Sequence, residues 1–142
     1  MGMNLTNGRV ECNSIMECCM LIKREVLEKI GLLDESYFMY VEDLDYSYKA
    51  IKSGYKLIVA HNSNIWHKVG ASGEGEISEL SAYWSMKSRI KFILSYENKV
   101  RKFFALSFQL ILHIVRMLKW YLKGYRNILI AQTKGLKDGV LS

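Results

Sequence analysis

The chain has 142 residues, enough for one domain with an apolar core but short for a complete enzyme with two substrates. Half of the residues are hydrophobic and 12% are aromatic, which excludes a disordered chain. The formal charge is +6, but the excess of positive charge lies in residues 99–137, which contain nine Lys or Arg and no carboxylate, whereas the rest of the chain carries 11 basic and 14 acidic residues. These basic residues are interleaved with long apolar runs and match no recognised nucleic-acid module, so we expect no nucleic-acid partner.

Cysteine usage and the N-terminus both favour a cytoplasmic location. Cys12, Cys18 and Cys19 are an odd set, and two of them are adjacent, so they do not form the disulfide framework of a secreted domain. The first residues lack a basic region followed by an apolar segment, so no secretory signal is visible.

The first predicted elements are a strand and a helix. Residues 1–11 are polar and predict a loose lead-in, whereas residues 18–22 form a short apolar run that predicts a buried strand. Apolar residues at helical spacing predict a helix over residues 23–30, and Gly31 is a typical residue to end it.

The central stretch, residues 37–48, is an aromatic run followed by Glu42, Asp43 and Asp45. Apolar residues at positions 44, 48, 51 and 55 predict a helix that packs by this face and ends at Gly54. The carboxylates fall at or just before its first turn, where the helix dipole favours negative charge. They could act as general base, metal ligands or nucleophile. The alternative is an acidic helix start that interacts only with the dipole and with Lys49.

After this helix, residues 55–60 predict a strand, residues 64–67 a second extended piece, and the glycine-rich residues 70–75 a mobile loop. His67 could complete the ligand shell of a divalent metal, although a lone histidine at a strand end is more often structural. Trp66 could stack on a sugar or a base, although tryptophan is more often a core or interface residue.

The last third of the chain is helical in pattern. From Ser78 onward, apolar residues at positions 83, 86, 90, 93 and 96 mark one face of a helix. Residues 103–115 carry no charge and are flanked by basic residues. This run is shorter than the roughly 20 residues that span a membrane, so it predicts an interfacial or partner-binding helix.

Four segments, residues 19–35, 37–45, 52–57 and 66–67, together resemble the second half of family 2 glycosyltransferases of the rhamnosyltransferase type. The resemblance implies an α/β fold of the GT-A type. Residues 1–78 would form its acceptor-side, catalytic half. Residues 79–142 would form a C-terminal helical region with a basic, apolar tail that binds membrane or a partner.

The resemblance also implies a reaction and a set of site residues. The reaction is an inverting transfer of a sugar from a nucleotide-sugar donor to a glycan or lipid-linked acceptor hydroxyl in cell-surface polysaccharide synthesis. A divalent Mg or Mn ion would hold the diphosphate. Asp43 matches the catalytic base of the family, Glu42 its acidic neighbour, and His67 a histidine that coordinates the metal in some relatives. Tyr40 and Trp66 are assigned to substrate binding.

The chain departs from the family pattern in two places. Glu17 stands where the family usually has glycine, in a stretch that lines the acceptor side, so it joins the substrate-binding residues. The nucleotide-binding strands and the Asp-x-Asp metal motif are not found upstream of Cys12. We therefore expect a chain that is incomplete as an enzyme, lies at the inner face of the cell membrane and self-associates through its uncovered apolar surface.

Two alternatives to this enzyme remain open. One is a catalytically silent module for interaction or membrane docking, and the weaker one is a metal-dependent hydrolase that uses the same acids.

Overall fold

The computed structural model describes residues 9–60, 62–67, 78–96 and 98–141, except for the side chains of Arg9 and Glu17. The protein is mostly helical with a small two-stranded sheet, which is compatible with a mixed α/β class. In chain order the elements are β1 (Arg9–Cys12), a short 3-10 helix (Glu17–Cys19), α1 (Arg24–Ile30), α2 (Glu42–Lys52), β2 (Leu57–Ala60), α3 (Glu79–Tyr96), α4 (Lys99–Leu122) and α5 (Arg126–Leu141).

The chain forms two compact units. Unit 1 comprises Met1–Tyr37 and Glu42–Val69, and unit 2 comprises Phe38–Val41 and Gly70–Ser142. The division at residue 78 that we expect from the sequence stays a prediction.

The sheet of unit 1 pairs β1 with β2 in antiparallel register, with Val10 opposite Val59. Glu11 of β1 also forms an ion pair with Lys56, the residue before β2, with 2.9 Å between Glu11 Oε2 and Lys56 Nζ. The expectation of a loose lead-in through residue 11 is therefore wrong for residues 9–11. Four residues are too few to show an alternating pattern, and the partner strand lies far along the chain.

Helix α1 is confirmed, but the strand predicted at residues 18–22 is wrong. Gly31 ends α1 with a φ of 84°, and its N–H donates to the carbonyl of Leu27 at 2.9 Å. Residues 17–19 instead form the 3-10 helix, and Leu21 is 99% exposed. None of the described strands pairs with this run, so its apolar composition does not produce a strand. Cys18 and Cys19 are exposed free thiols.

The predicted position of helix α2 is confirmed, but the predicted buried face is wrong. Gly54 follows it with a φ of 88°. Leu44 and Ile51, two residues of the predicted apolar face, are exposed. The residues that α2 buries are instead Asp45, Tyr46, Ser47 and Ala50. Two of these side chains form hydrogen bonds: Ser47 Oγ accepts from the N–H of Ile15 at 3.1 Å, and Tyr46 Oη donates to the carbonyl of Gly31 at 3.1 Å.

The extended piece predicted at residues 64–67 is not a strand, since no described strand pairs with it. The glycine-rich loop at residues 70–75 lies outside the described residues.

In unit 2, α3 and α5 pack with their backbones in close approach. A Cβ on Gly135 would lie 2.3 Å from the carbonyl oxygen of Tyr83, and one on Gly139 would lie 2.9 Å from that of Lys87. Glycines four residues apart share one helix face, so they form a flat strip that admits the neighbouring backbone. The predicted core face of α3 is confirmed at Met86, Ile90 and Ile93, which are buried.

Helix α4 begins at a cap in which the N–H of Arg101 donates to Asn98 Oδ1 at 2.9 Å. It has 24 residues, and its length and composition would allow it to cross a membrane; little of its apolar stretch is buried. It is the one helix in the described part of the chain that meets this criterion.

Candidate functional site

The three carboxylates predicted from the sequence all lie in the first turn of α2. Glu42 is the first residue of the helix, Asp43 the second and Asp45 the fourth. The backbone N–H groups of a first turn have no partners within the helix, and together with the dipole they favour negative charge. The helix start therefore supplies an electrostatic setting in which ionised carboxylates are stable.

The turn before α2 has an unusual backbone. Tyr40 and Val41 have φ values of 66° and 76°, in the left-handed region that side chains with a Cβ disfavour. Such residues cost about 1–3 kcal/mol each and persist only where the surrounding structure imposes them. A β-branched residue such as Val41 is especially unfavourable there. Strain of this kind is concentrated at functional sites, which makes the residues that follow it candidates for function.

Unit 2 holds the first part of this turn through two contacts with α3. Ser88 Oγ donates to the carbonyl of Met39 at 2.9 Å, and Ser88 is buried. The rings of Phe38 and Trp84 lie 4.8 Å apart between centroids. These contacts fix the backbone just upstream of the strained residues.

The carboxylates of Glu42, Asp43 and Asp45 have three different environments. Asp43 is partly exposed, and its Oδ1 accepts from the N–H of Leu44 at 2.7 Å. Its Oδ2 accepts no hydrogen bond from the described residues. Glu42 Oε2 is buried and likewise has no hydrogen-bond donor among them. Asp45 is 1% exposed and forms an ion pair of 2.8 Å with Lys49 Nζ.

The acidic cluster can be interpreted either as a reactive site or as an acidic helix start without catalytic function, and the contacts of each carboxylate bear on this choice. Asp45 forms the Lys49 pair that an acidic helix start without catalytic function would form. Asp43 and Glu42 are both partly exposed, and each keeps a carboxylate oxygen that no described residue bonds. Either can therefore accept a proton from an incoming group, and the choice of Asp43 as the base stays a prediction. Burial raises the pKa of Tyr46, next to Asp45, above its ordinary value of 10.0, while Lys49 acts in the opposite direction.

The remaining predicted site residues lie mostly at the surface. Trp66 is fully exposed, so it is not a core residue, while its interpretation as an interface or sugar-stacking residue stays a prediction. His67 is exposed and Tyr40 is 41% exposed. Glu17 lies in the 3-10 helix, and its side chain is outside the described set.

The described residues do not by themselves fit a metal site. Among them, no three His, Cys, Asp or Glu side chains are close enough to hold a metal ion together. Glu42, Asp43 and His67 are therefore not assembled into a ligand set, and the metal expected from the resemblance stays a prediction.

Sequence reasoning missed the strained turn and its support by Ser88. Tyr and Val give no signal for a left-handed backbone, because glycine and asparagine are the residues that usually mark it. A signal for Ser88 did exist: it is a small polar residue between the predicted core positions 86 and 90 of α3, and such a residue commonly bonds to a nearby carbonyl.

Comparison with known proteins gives partial matches to two kinds of glycosyltransferase. The chain is 32% identical over 66 residues to an N-acetylglucosaminyl-diphospho-decaprenol L-rhamnosyltransferase of Mycobacterium tuberculosis, which covers 46% of this chain and 22% of the relative. It is 50% identical over 32 residues to the low-salt glycan biosynthesis hexosyltransferase Agl10 of Haloferax volcanii, which covers 22% of this chain and 10% of the relative. No family model and no solved structure matches the chain.

These matches show a glycosyltransferase-like relationship at low coverage, and they suggest sugar transfer in glycan biosynthesis. The chain spans 22% of the length of the rhamnosyltransferase that it matches.

Proposed function

We propose that this chain is the acceptor-side part of an inverting glycosyltransferase of the GT-A type, with Asp43 as the catalytic base. The observation that carries the proposal is the partly exposed Asp43 carboxylate, which keeps one oxygen uncommitted in the first turn of α2, two residues after a strained turn. The matches to a rhamnosyltransferase and a hexosyltransferase support sugar transfer as the reaction class.

In the proposed reaction, Asp43 takes the proton of the acceptor hydroxyl while the hydroxyl oxygen attacks the anomeric carbon of the donor sugar. The bond between that carbon and the diphosphate oxygen breaks, and its electron pair leaves with the nucleoside diphosphate. Attack opposite the leaving group inverts the anomeric configuration. The hydrogen bond from Leu44 N–H to Oδ1 restricts rotation of the carboxylate and leaves Oδ2 for the proton.

The proposed substrates are a nucleotide-sugar and a glycan or lipid-linked acceptor. The name of the mycobacterial relative specifies a diphospho-decaprenol-linked acceptor, which supports the lipid-linked form. The fully exposed Trp66 offers a ring on which a sugar can stack. Tyr40, three residues before Asp43, and Glu17 complete the proposed substrate-binding set.

A divalent Mg or Mn ion belongs to the proposal as the group that would stabilise charge on the departing diphosphate. His67 is the proposed ligand from this chain, and the other ligands would come from a nucleotide-binding half outside it. Asp43 acts on the acceptor proton, so its proposed step does not pass through the metal. The proposed location is the cytoplasmic face of the cell membrane.

The experiment combines the 142-residue chain with a separately expressed nucleotide-binding half of the mycobacterial relative. Calorimetry measures nucleotide-sugar binding in the presence of manganese, and mass spectrometry measures sugar transfer to a lipid-linked acceptor. We expect no donor binding by the chain alone, and binding with transfer when the second half is supplied. Absence of binding in both cases would assign the chain to the class of silent modules.

The substitution Asp43→Asn tests the assigned base within that assay. Loss of the base should reduce transfer by about 10²–10⁴-fold, while donor binding is retained. The control Glu35→Gln removes one negative charge from an exposed carboxylate upstream of the site and should leave transfer unchanged. Full transfer by Asp43→Asn would exclude Asp43 as the base. Donor hydrolysis that Asp43→Asn does not change would exclude the hydrolase alternative.

A further inference from the structure

Helix α4 exposes its apolar side and turns its polar side inward, whereas a helix at the surface of a water-soluble protein does the reverse. We propose that its outward face binds the interfacial layer of an anionic membrane, with the helix axis parallel to the surface. This membrane contact does not depend on the proposed glycosyl transfer, and its test below does not use catalytic activity.

The outward face of α4 is a continuous apolar strip. At 3.6 residues per turn, its central members fall within an arc of about 120°. Each of them is between 57% and 66% exposed, and they are Phe104, Phe108, Ile111, Ile114, Val115 and Leu118. Single exposed apolar residues are common on proteins, but a strip of this length marks a surface that another apolar phase covers.

The inward face of α4 is polar. Gln109, His113 and Arg116 follow one another at helical spacing on the side opposite the apolar strip. His113 is 3% exposed, and its Nε2 lies 3.4 Å from Thr133 Oγ1 on α5. A helix on a water-soluble surface turns its apolar side inward instead. The polar side of α4 therefore faces α5 at His113, and the apolar strip is left uncovered.

Charge identifies the occupant of the strip. Exposed basic residues stand at both ends of α4, namely Lys99, Arg101, Lys119 and Lys123, and residues 98–137 contain no carboxylate. A second copy that docked by the same face would bring like charges together. An anionic lipid surface would instead complement them, at about 1 kcal/mol for each basic residue near the surface.

Aromatic residues at the C-terminal end of α4 fit the same occupant. The rings of Trp120 and Tyr125 lie 5.7 Å apart, and Lys119 Nζ lies 5.0 Å from the centroid of the Trp120 ring. Tyr121 is 63% exposed. Tryptophan and tyrosine are enriched at headgroup level, where the ring meets the acyl chains and its polar atom meets water.

The extent of the uncharged run favours an interfacial position over a spanning one. Residues 103–115 cover about 20 Å at 1.5 Å per residue, whereas the hydrocarbon core of a bilayer is about 30 Å thick. Arg116 would lie inside the hydrocarbon if the whole helix crossed it. A helix parallel to the surface inserts its apolar face by about 5–10 Å and keeps the basic residues among the headgroups.

Co-sedimentation of the 142-residue chain with lipid vesicles tests this proposal. We expect binding to vesicles of phosphatidylcholine and phosphatidylglycerol, and weaker binding to phosphatidylcholine alone. The substitution Ile111→Glu places a charge at the centre of the strip and should reduce binding at least tenfold. The matched control Leu21→Glu makes a similar change at a 99% exposed residue of unit 1 and should leave binding unchanged. Circular dichroism verifies that both variants keep their helices.

The double substitution Lys119→Gln with Lys123→Gln separates charge from apolar insertion. Each lysine removed should weaken binding to the anionic vesicles by about fivefold and leave binding to neutral vesicles unchanged. Equal loss on both kinds of vesicle would contradict the assigned role of the basic residues.

Four results would overturn the proposal. They are absence of binding by the unsubstituted chain, undiminished binding by Ile111→Glu, and binding without preference for anionic lipid. The fourth is resistance of the membrane-bound chain to alkaline extraction, which would show that α4 spans the bilayer. Analytical ultracentrifugation tests whether a second copy of the chain covers the strip instead. If the chain does not bind vesicles but forms a dimer that Ile111→Glu dissociates, the strip is a dimer interface.

Discussion

Unit 1 and unit 2 are stabilised by different kinds of contact. In unit 1, short elements are tied by single hydrogen bonds between residues distant in sequence, such as Ile15 N–H to Ser47 Oγ and Lys29 Nζ to the carbonyl of Ser53. In unit 2, long helices approach closely because Gly135 and Gly139 lack side chains.

The difference indicates which changes each unit tolerates. A hydrogen bond contributes about 0.5–1.5 kcal/mol, so unit 1 should lose stability in small steps as its polar atoms are removed. A helix contact that depends on glycine cannot be weakened gradually, because even the smallest side chain at that position displaces the backbone of the neighbouring helix. Unit 2 should therefore be sensitive at few positions, with large effects. The following four substitutions and conditions test this contrast, beginning with the largest expected effect.

Gly135→Ala should have the largest effect on unit 2. The new Cβ would lie 2.3 Å from the carbonyl oxygen of Tyr83, and that backbone atom cannot rotate away as a side chain can. We expect a loss of about 3 kcal/mol or more in the free energy of unfolding, measured by urea denaturation. Gly124→Ala is the control, since nothing lies within 4 Å there and only its φ of 77° opposes a side chain, at a cost of about 1–2 kcal/mol. Equal losses in the two variants would show that close packing of α3 and α5 is not what stabilises unit 2.

Lys49→Gln should have the next largest effect, in unit 1. Asp45 is 1% exposed, and the substitution removes the cation 2.8 Å from its Oδ2. An uncompensated buried charge costs about 3–5 kcal/mol, and we expect about 2 kcal/mol because Lys49 itself is partly exposed to solvent. Arg24→Gln breaks the exposed pair of Arg24 with Glu28 on α1 and should cost about 0.5 kcal/mol or less by the same measurement. Similar losses would mean that the Asp45 pair is effectively solvated.

Tyr46→Phe should remove about 1 kcal/mol from the stability of unit 1, because it deletes the hydrogen bond from Tyr46 Oη to the carbonyl of Gly31. The same variant identifies Tyr46 in an alkaline absorbance titration, since burial raises the pKa of this phenol and its transition should come late. Tyr55→Phe deletes a longer, exposed bond of 3.4 Å and should cost less. A larger loss of stability in Tyr55→Phe than in Tyr46→Phe would show that the hydrogen bond of Tyr46 to Gly31 is not the more stabilising of the two.

Acidification should destabilise unit 2 slightly through His113. Burial lowers the pKa of this imidazole below its ordinary value of 6.5 and nearby Arg116 lowers it further, although the contact with Gln132 opposes them. Above that ordinary value the imidazole is neutral in both states, and stability is complete. As the pH falls below it, the unfolded chain binds the proton first, so stability decreases until the lowered folded pKa is passed.

Urea midpoints measured at about pH 7.5 and about pH 5.5 lie on either side of the ordinary histidine value and test this dependence. The variant His113→Gln should show a smaller difference between the two midpoints. An unchanged difference would assign the acid sensitivity to other groups.

The sequence predicts the helices better than the faces that they bury. Helix α3 is confirmed, and its predicted face is buried at Met86, Ile90 and Ile93 because α3 packs on a regular neighbouring helix. The predicted face of α2 is wrong because Ser47 and Asp45 are buried. Ser47 bonds to Ile15 and Asp45 pairs with Lys49, and hydrophobic periodicity does not indicate where a polar residue is buried. The run at residues 18–22 is apolar enough for a strand, but a strand also needs a neighbour, and composition does not supply one.

The candidate site is predictable in its residues but not in its geometry. Glu42, Asp43 and Asp45 stand out in the sequence as a cluster, yet only the structure separates the ion-paired Asp45 from the partly exposed Asp43. The left-handed backbone at Tyr40 and Val41 has no sequence signal, because it is imposed from outside by contacts such as Ser88 with Met39. The roles of Asp43, Glu42, His67, Trp66, Glu17 and Tyr40 stay predictions.

The four residues Phe38–Val41 interrupt unit 1 and belong to unit 2, so the chain passes from unit 1 to unit 2 and back before it enters unit 2 again at Gly70. Neither unit is a single continuous piece of polypeptide. A fragment that starts at α3 would lack the ring that Trp84 meets and the carbonyl that Ser88 bonds. Dissection of this protein into independently folding pieces therefore requires that a short peptide covering residues 38–41 be returned to the helical piece, as in fragment complementation.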